Sequence, residues 1–344
     1  GTFGTSSVHV SSCPLSDALM AGFRSRFSGS LATASNSQAF HRPCFAPSGL
    51  PASEKELDRL TNFILDAKGG LLCLTGAGFS TESGIPDYRS PEGSYSKGHK
   101  PMTHQEFISS AVNRKRYWAR SLRGWRFFDG ASPNMAHRAL GSLEATGYVR
   151  GVITQNVDGL HQKGGSRNVI ELHGRNDEVS CLSCSRSRSR SNYQEELELV
   201  NSEWISEFLP PQAVVDLRAD GDAQLHVRNF DGFQVPSCSC GGVWKPRVVF
   251  FGGALETSVK ERAQTAQYDA EALLVMGSSV QVFSAFSLVK AAVKAQKPVA
   301  ILNIGETRAD PLIPKEFLMP YRCGEALEEI CRRLEIPIAE RTQR

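Results

Sequence analysis

Four groups of residues in this chain have the types and spacing to do chemistry. Thr75-Gly76-Ala77-Gly78 follows directly on the apolar run Leu71-Leu72-Cys73-Leu74. A strand that feeds a glycine turn brings backbone N–H groups close to a pyrophosphate. His173 follows an apolar run at 169–172, and an imidazole that titrates near neutrality suits proton transfer. Upstream, Thr154-Gln155-Asn156-Val157-Asp158 ends another apolar run with two amides and a carboxylate. Four thiols fall in two close pairs, Cys181 with Cys184 and Cys238 with Cys240. Four thiolates from two distant pairs make a closed tetrahedral zinc site.

Each group also has a plain structural reading. Gly-x-Gly alone is weak, and the third glycine of the dehydrogenase fingerprint would fall at Thr81. No second strand ending in a ribose-binding acid follows either, so hydride transfer is disfavoured. Pro86 is read as interrupting the helix and turning Asp87, Tyr88 and Arg89 back over the bound nucleotide. A lone histidine before glycine is more often a structural turn. Gly277-Ser278-Ser279 can be an ordinary strand-to-helix loop, Asp158 a cap and Asn303 a strand end. His99, His104 and His226 are expected at the surface, and His137 in a helix.

The elements that must position these groups are legible as apolar runs. Ser53-Glu54-Lys55-Glu56 reads as a capping box ahead of a helix whose apolar face is Leu57, Leu60, Phe63 and Ile64. Buried strands are expected at Leu71–Thr75, Val149–Thr154, 169–172, 248–251, Ala272–Met276 and Val299–Leu302, with helices between several of them, including 283–295 and 325–334. Short apolar strands alternating with helices imply an α/β fold, a parallel sheet covered on both faces. Residues 98–130 read as a small helical insertion. Residues 176–245 read as a cysteine lobe, in which the Arg-Ser repeats of 183–190 are expected to be a solvated loop.

Bulk properties narrow the class. Net charge is +3, of which residues 1–53 carry +2 through Arg24, Arg26 and Arg42 against Asp17. The nearly neutral body gives no support for direct nucleic-acid binding. No stretch approaches the roughly 18 apolar residues of a membrane helix. Paired thiols in an enzyme-like chain point to a metal site in a reducing compartment. Residues 1–52, rich in Ser, Ala and Arg and poor in acids, are expected to be a disordered, mitochondrial transit-peptide-like segment.

Taken in order, Gly76-Ala77-Gly78-Phe79-Ser80, Gly84-Ile85-Pro86-Asp87-Tyr88-Arg89, Thr154-Gln155-Asn156-Val157-Asp158 and Leu172-His173-Gly174 resemble the signature blocks of the sirtuins. So do Gly277-Ser278-Ser279, Asn303-Ile304-Gly305 and Arg322-Cys323-Gly324, and the resemblance runs from about residue 57 to 334. Tyr117-Trp118-Ala119-Arg120 and the segment 303–310 most resemble the class II, mitochondrial branch, including its plant-type members.

The resemblance implies a Rossmann-like domain (53–97, 131–175 and 246–334) with the helical insertion 98–130, a zinc lobe at 176–245 and a tail at 335–344. It implies a protein-lysine deacylase of the mitochondrial matrix that consumes NAD as co-substrate. An acylated lysine attacks the ribose, nicotinamide leaves, and an alkylimidate forms. His173 is then the general base, Asn156 holds the ribose or a water, and Asp158 meets the nicotinamide carboxamide. Gln155 belongs to the ribose side. Ala77, Gly78, Asp87, Tyr88 and Arg89 line the nicotinamide and pyrophosphate side, and Gly277, Ser278 and Ser279 meet phosphate. Asn303 and Cys323 lie by the adenosine, and Gly76, Ser80, Pro86, Thr154, Ile304 and Gly305 also belong to the cofactor site.

The partner is an acylated protein lysine, whose peptide adds as a strand beside Val249, Phe250, Gly252 and Val280. Tyr95 is not followed by the arginine associated with acidic acyl groups, which favours a neutral acyl group. Cys181, Cys184, Cys238 and Cys240 correspond to the structural zinc ligands, although Cys238-Ser239-Cys240 has one intervening residue where the family has two. Arg247 replaces a usual Asp, and Gly253 a usual acid. ADP-ribosyl transfer to protein, catalytically weak binding of NAD and acyl-peptide, and, more remotely, a dehydrogenase are the rival readings.

Overall fold

The computed structural model describes residues 51–209, 216–227 and 229–339. Nearly all of the transit-peptide-like segment 1–52, and the end of the 335–344 tail, lie outside the described residues. Helix α1 (Glu54–Asp66) begins at Ser53, whose backbone N–H donates to Glu56 Oε2 at 3.1 Å, and it buries Leu57, Leu60, Phe63 and Ile64 as its periodicity predicts. Strand β1 (Leu71–Thr75) follows. After it come α2 (His104–Ser109), α3 (Ala111–Asp129), α4 (Met135–Ala145), β2 (Val149–Thr154), α5 (Leu160–Lys163) and β3 (Val169–Glu171). The smaller lobe then contributes β4 (Gly174–Cys181), β5 (Ser187–Ser189), α6 (Arg190–Val200), α7 (Ser202–Phe208), β6 (Asp216–Leu217), β7 (Ala223–Gln224) and β8 (Trp244–Val248). The chain ends with α8 (Thr257–Asp269), β9 (Ala272–Met276), α9 (Phe283–Lys294), β10 (Val299–Leu302), β11 (Leu318–Met319) and α10 (Cys323–Arg333).

Six parallel strands run in the order β3-β2-β1-β9-β10-β11. This is the Rossmann-like order, reversing direction of growth between β1 and β9. The runs are apolar because both faces are covered. One face packs against α1, α4 and α10 through Ile64, Leu140, Leu143, Leu327 and Ile330. The other packs against α8 and α9 through Ala263, Leu288 and Val289.

A second core joins two segments that the sequence separates. Phe107 and Trp118 of the helical insertion share it with Tyr193, Phe233 and Trp244 of the cysteine lobe, the Trp118 and Tyr193 rings lying 4.7 Å apart. β4 is flanked by β5 and β8 in an antiparallel sheet, and β6 and β7 form a hairpin.

Four expectations need correction. The apolar run 248–251 is not a strand of the parallel sheet. The strand is Trp244–Val248 and pairs with β4, while Val249 to Phe251 leave the ladder to border a cavity. The Arg-Ser segment is not a solvated loop throughout. Its end forms β5, and Arg190 is fully buried, its guanidinium 5.2 Å from the Trp118 ring and 4.8 Å from the Trp125 ring. His99 is buried too, with Nε2 3.3 Å from Asp220 Oδ2. Order also passes residue 334, since Ile336 is buried in the first core.

Candidate active site

The central strands end level, with Thr75 opposite Thr154 on one side and Met276 on the other. The turns leaving them therefore meet in one crevice at the switch point of the sheet. Gly78 N–H donates to the Gly277 carbonyl at 2.9 Å. A Cβ on Gly76 would lie 2.7 Å from Ser278 Cβ, and one on Gly277, at φ +55°, would overlap the Phe79 nitrogen. Gly76 itself sits at φ −140°, so it is needed for close approach of two turns and not for a left-handed bend. The helix expected after the glycine turn is replaced by two single 3₁₀ turns, Ala77–Phe79 and Thr81–Ser83. Gly84, at φ +80°, stops the second before Pro86 is reached.

A cavity of about 560 Å³ opens over the crevice. Gly76, Ala77, Gly78, Ser80, Asp87, Tyr88, Arg89, Gln155, Asn156, Asp158 and His173 line it. So do Gly277, Ser278, Ser279, Asn303, Ile304, Gly305 and Cys323, together with Val249, Phe250, Gly252 and Val280. Pro86 and Thr154 do not. Both are buried, and Thr154 Oγ1 instead accepts from Thr75 Oγ1 at 2.9 Å and from the Asn156 N–H at 3.1 Å. A cleft of this size, lined by two glycine turns at the ends of the central strands, suits a dinucleotide.

His173 is held at both ring nitrogens. Nδ1 is 3.1 Å from the Gln155 carbonyl, which can only accept, so this nitrogen carries the hydrogen. Nε2 then presents its lone pair, 2.9 Å from Ser284 Oγ at the start of α9. Burial pushes the imidazole below its ordinary pKa, against the opposing pull of the Gln155 hydrogen bond. The ring is therefore a neutral base at pH 7.

The neighbouring polar groups are tied to the strand ends. Gln155 Nε2 donates to Ser278 Oγ at 2.7 Å and to the Thr75 carbonyl at 3.2 Å. Asn156 Nδ2 donates to the Gly76 carbonyl at 2.9 Å and to Ser80 Oγ at 3.1 Å, which leaves its side-chain oxygen available to a ligand. Asp158 accepts from the N–H of Leu160, the first residue of α5, at 2.9 Å, and its other oxygen accepts from Ser80 at 2.7 Å. Burial raises its pKa, opposed by these same hydrogen bonds. Val280 is buried at φ +42°, a conformation that costs a β-branched residue about 1–3 kcal/mol. Its N–H donates to Ser278 Oγ at 3.2 Å.

The segment after β8 forms the remaining wall. Val249 N–H donates to the His173 carbonyl at 2.8 Å, and the Phe251 carbonyl accepts from the His104 N–H at 2.9 Å. Phe250 borders the cavity, but its ring packs into the small-lobe core, 5.4 Å from Phe107 and 5.2 Å from Tyr117.

Sequence reasoning missed Ser284 and the hairpin joining β6 to β7. Ala219 and Asp220 of that hairpin line the cavity. Ala219 N–H donates to Ser94 Oγ at 3.1 Å, and Ser94 N–H donates to the Asp87 carbonyl at 2.8 Å. The hairpin thus braces the loop that carries Asp87, Tyr88 and Arg89. Its base is an ion pair of Asp222 with Arg120 at 2.8 Å; burial and the neighbouring Asp220 push Asp222 up to about 7. Asp220-Gly221-Asp222 signals a turn, but nothing local says where that turn docks.

The four thiols converge. Cys181 and Cys240 sulfurs lie 3.6 Å apart, Cys184 and Cys238 sulfurs 3.8 Å, and all four ligand atoms lie within 4.8 Å of one another. A tetrahedron with Zn–S bonds of about 2.3 Å has S···S edges of about 3.8 Å, so the donor set fits zinc. The short Cys238–Cys240 spacing is absorbed by a turn in which Gly241 takes φ +80°. A Cβ on Gly242 would lie 2.6 Å from the Cys181 sulfur.

A model of the Sir2 family matches residues 76–284. The chain belongs to the Sir2 family. Among its relatives, the NAD-dependent protein deacylase SIR4 of Monosiga brevicollis is 46% identical, the match covering 76% of this chain and 84% of that protein. The NAD-dependent protein deacylase Sirt4 of Drosophila melanogaster is 41% identical over 83% of this chain and 90% of its own. A solved Sir2 structure bound to acetylated peptide has a TM-score of 0.63 at 26% identity, covering 82% of this chain and 99% of that one. The sirtuin-like sequence blocks and the Rossmann-like fold therefore belong to one family.

Proposed function

We propose that this Sir2-family chain is a NAD-dependent protein-lysine deacylase that releases nicotinamide and transfers the acyl group from lysine to ADP-ribose. The observation that carries the reading is His173, neutral and tautomerically fixed, in a dinucleotide-sized cleft beside the extended segment Val248 to Gly253. Relatives named as NAD-dependent protein deacylases, and a relative solved with acetylated peptide, support it.

NAD supplies a sugar–pyridinium bond that breaks without an acid, because nicotinamide leaves as a neutral base. Every other task falls to the chain. The glycine turns and Ser278 and Ser279 hold the phosphates, and Asn303, Ile304, Gly305 and Cys323 flank the adenosine. Asp158 positions the nicotinamide amide, with Ala77, Asp87, Tyr88 and Arg89 around it. The Asn156 side-chain oxygen faces the sugar. His173 Nε2 takes the proton from a ribose hydroxyl as its oxygen attacks the acyl carbon, displacing Ser284 from that nitrogen. Val249 and Val280 line the acyl chain, and backbone pairing along Val248 to Gly253 holds the peptide. Cys181, Cys184, Cys238 and Cys240 would hold a structural zinc that braces the small lobe and takes no part in the chemistry.

The SIR4 and Sirt4 relatives support placing the chain in the class II branch. The Ser-, Ala- and Arg-rich composition of residues 1–52 supports import into mitochondria. A panel of acyl-lysine peptides incubated with NAD tests the activity: acyl-ADP-ribose and free lysine are expected by mass spectrometry. Formation of NADH, or ADP-ribosylated protein with the acyl-lysine intact, would replace this reading.

A further inference from the structure

A second cavity, of about 410 Å³, shares Val248, Val249, Phe250 and Gly253 with the first. The segment that borders the acyl site therefore borders another space. Arg175, Lys245, Arg247 and Arg262 line that space against Glu171 and Glu256, with His104 also present. Arg247 is anchored rather than free-swinging, with Nη1 2.9 Å from Glu178 Oε2 and Nε 3.8 Å from Glu256 Oε1. Arg175 pairs with Asp177 and reaches Glu171 at 4.0 Å. Lys245 is buried, and its ammonium donates to the carbonyls of Pro246 and Val248.

A peptide paired along Val248 to Gly253 alternates its side chains between two faces. When the acyl-lysine enters the main cavity, the residues on either side of it point away from that cavity, and the second cavity borders the same backbone. Two features set the charge at this place. Arg247 puts a guanidinium into the lining of the second cavity, and Gly253, which touches both cavities, adds no side chain. Both features leave the lining open to an anion.

We propose that the second cavity is a substrate subsite for a carboxylate side chain adjacent to the acylated lysine, so that acidic flanking sequence is preferred. This rests on the deacylase reading. The test is an anisotropy titration of the full chain with labelled acyl-lysine peptides whose flanking residues are Glu, Gln or Lys, with NAD turnover followed in parallel. The Glu peptide should bind about fivefold more tightly than the Gln peptide, and the Lys peptide should bind weakest. The preference should shrink as salt rises. In Arg247→Asp, alone and with Gly253→Glu, the ranking should level and then invert. Equal binding of the peptides, or a ranking that survives Arg247→Asp, overturns the subsite. Because the ranking is read from binding, ranked binding without turnover supports the subsite while refuting the deacylase reading, and failure of every peptide to bind refutes both.

Discussion

His173 Nε2 lies 2.9 Å from Ser284 Oγ while its Nδ1 lies 3.1 Å from the Gln155 carbonyl. The backbone contact fixes the tautomer, and the hydroxyl marks where a substrate hydroxyl must arrive. His173→Ala should reduce deacylation by about 10²–10⁴-fold, the ordinary worth of a general base. Ser284→Ala should cost under about tenfold, since its bond to Nε2 is given up when substrate binds. Nicotinamide release with an acyl-peptide measures both.

Burial lowers the His173 pKa, so the base stays unprotonated below the ordinary imidazole value of 6.5. The acid limb of kcat/KM is expected to fall below that pH, and activity to be flat from about pH 6.5 to 7.5. A limb centred above about 7 would mean that the ring is charged at rest.

His137 and His161 are buried beneath the site with rings 5.0 Å apart. Burial holds His161 down to about 3 and His137 well below its ordinary value. Folded pKa values below unfolded ones give stability that is full above about 6.5 and is lost as pH falls toward the folded values. The loss is up to about 1.4 kcal/mol per pH unit for each ring. Thermal melts between about pH 7 and 5 should show it, and His161→Asn should flatten the slope.

Gly277 combines φ +55° with a Cβ position that overlaps the Phe79 nitrogen. Gly277→Ala should push the two turns apart and raise KM for NAD at least about tenfold, with a smaller effect on KM for peptide.

Removing zinc should melt the small lobe and lower Tm before it affects the sheet. Metal analysis should find one zinc per chain, and Cys184→Ser should lower both zinc content and Tm. Peptide binding should weaken with it, because β8 leads directly into Val249.

Leu71–Thr75, Ala272–Met276 and Val299–Leu302 are legible in the sequence because each is a short apolar run buried on both faces, and Val149–Thr154 is legible despite its exposed Arg150. The run 248–251 misleads for the same reason: apolar residues that wall a cavity read like a strand. Leu318–Met319 is too short to carry a signal. The glycine turn, the Gln155–Asp158 block and His173 are visible because their spacing is local. Ser284, Asp220 and the buried state of His99 and Arg190 are not, because their partners are distant in sequence. Asp220 meets His99 across 121 residues, and no periodicity encodes that meeting.

The central claim is that the dinucleotide is cut at its sugar by an acyl-lysine under His173 control. The most direct measurement counts nicotinamide released per lysine freed, in the native chain and in His173→Ala. One nicotinamide per lysine, with the acyl group recovered on ADP-ribose and both products lost in the variant, is the predicted result. Lysine freed without nicotinamide, or unchanged turnover in His173→Ala, would contradict it.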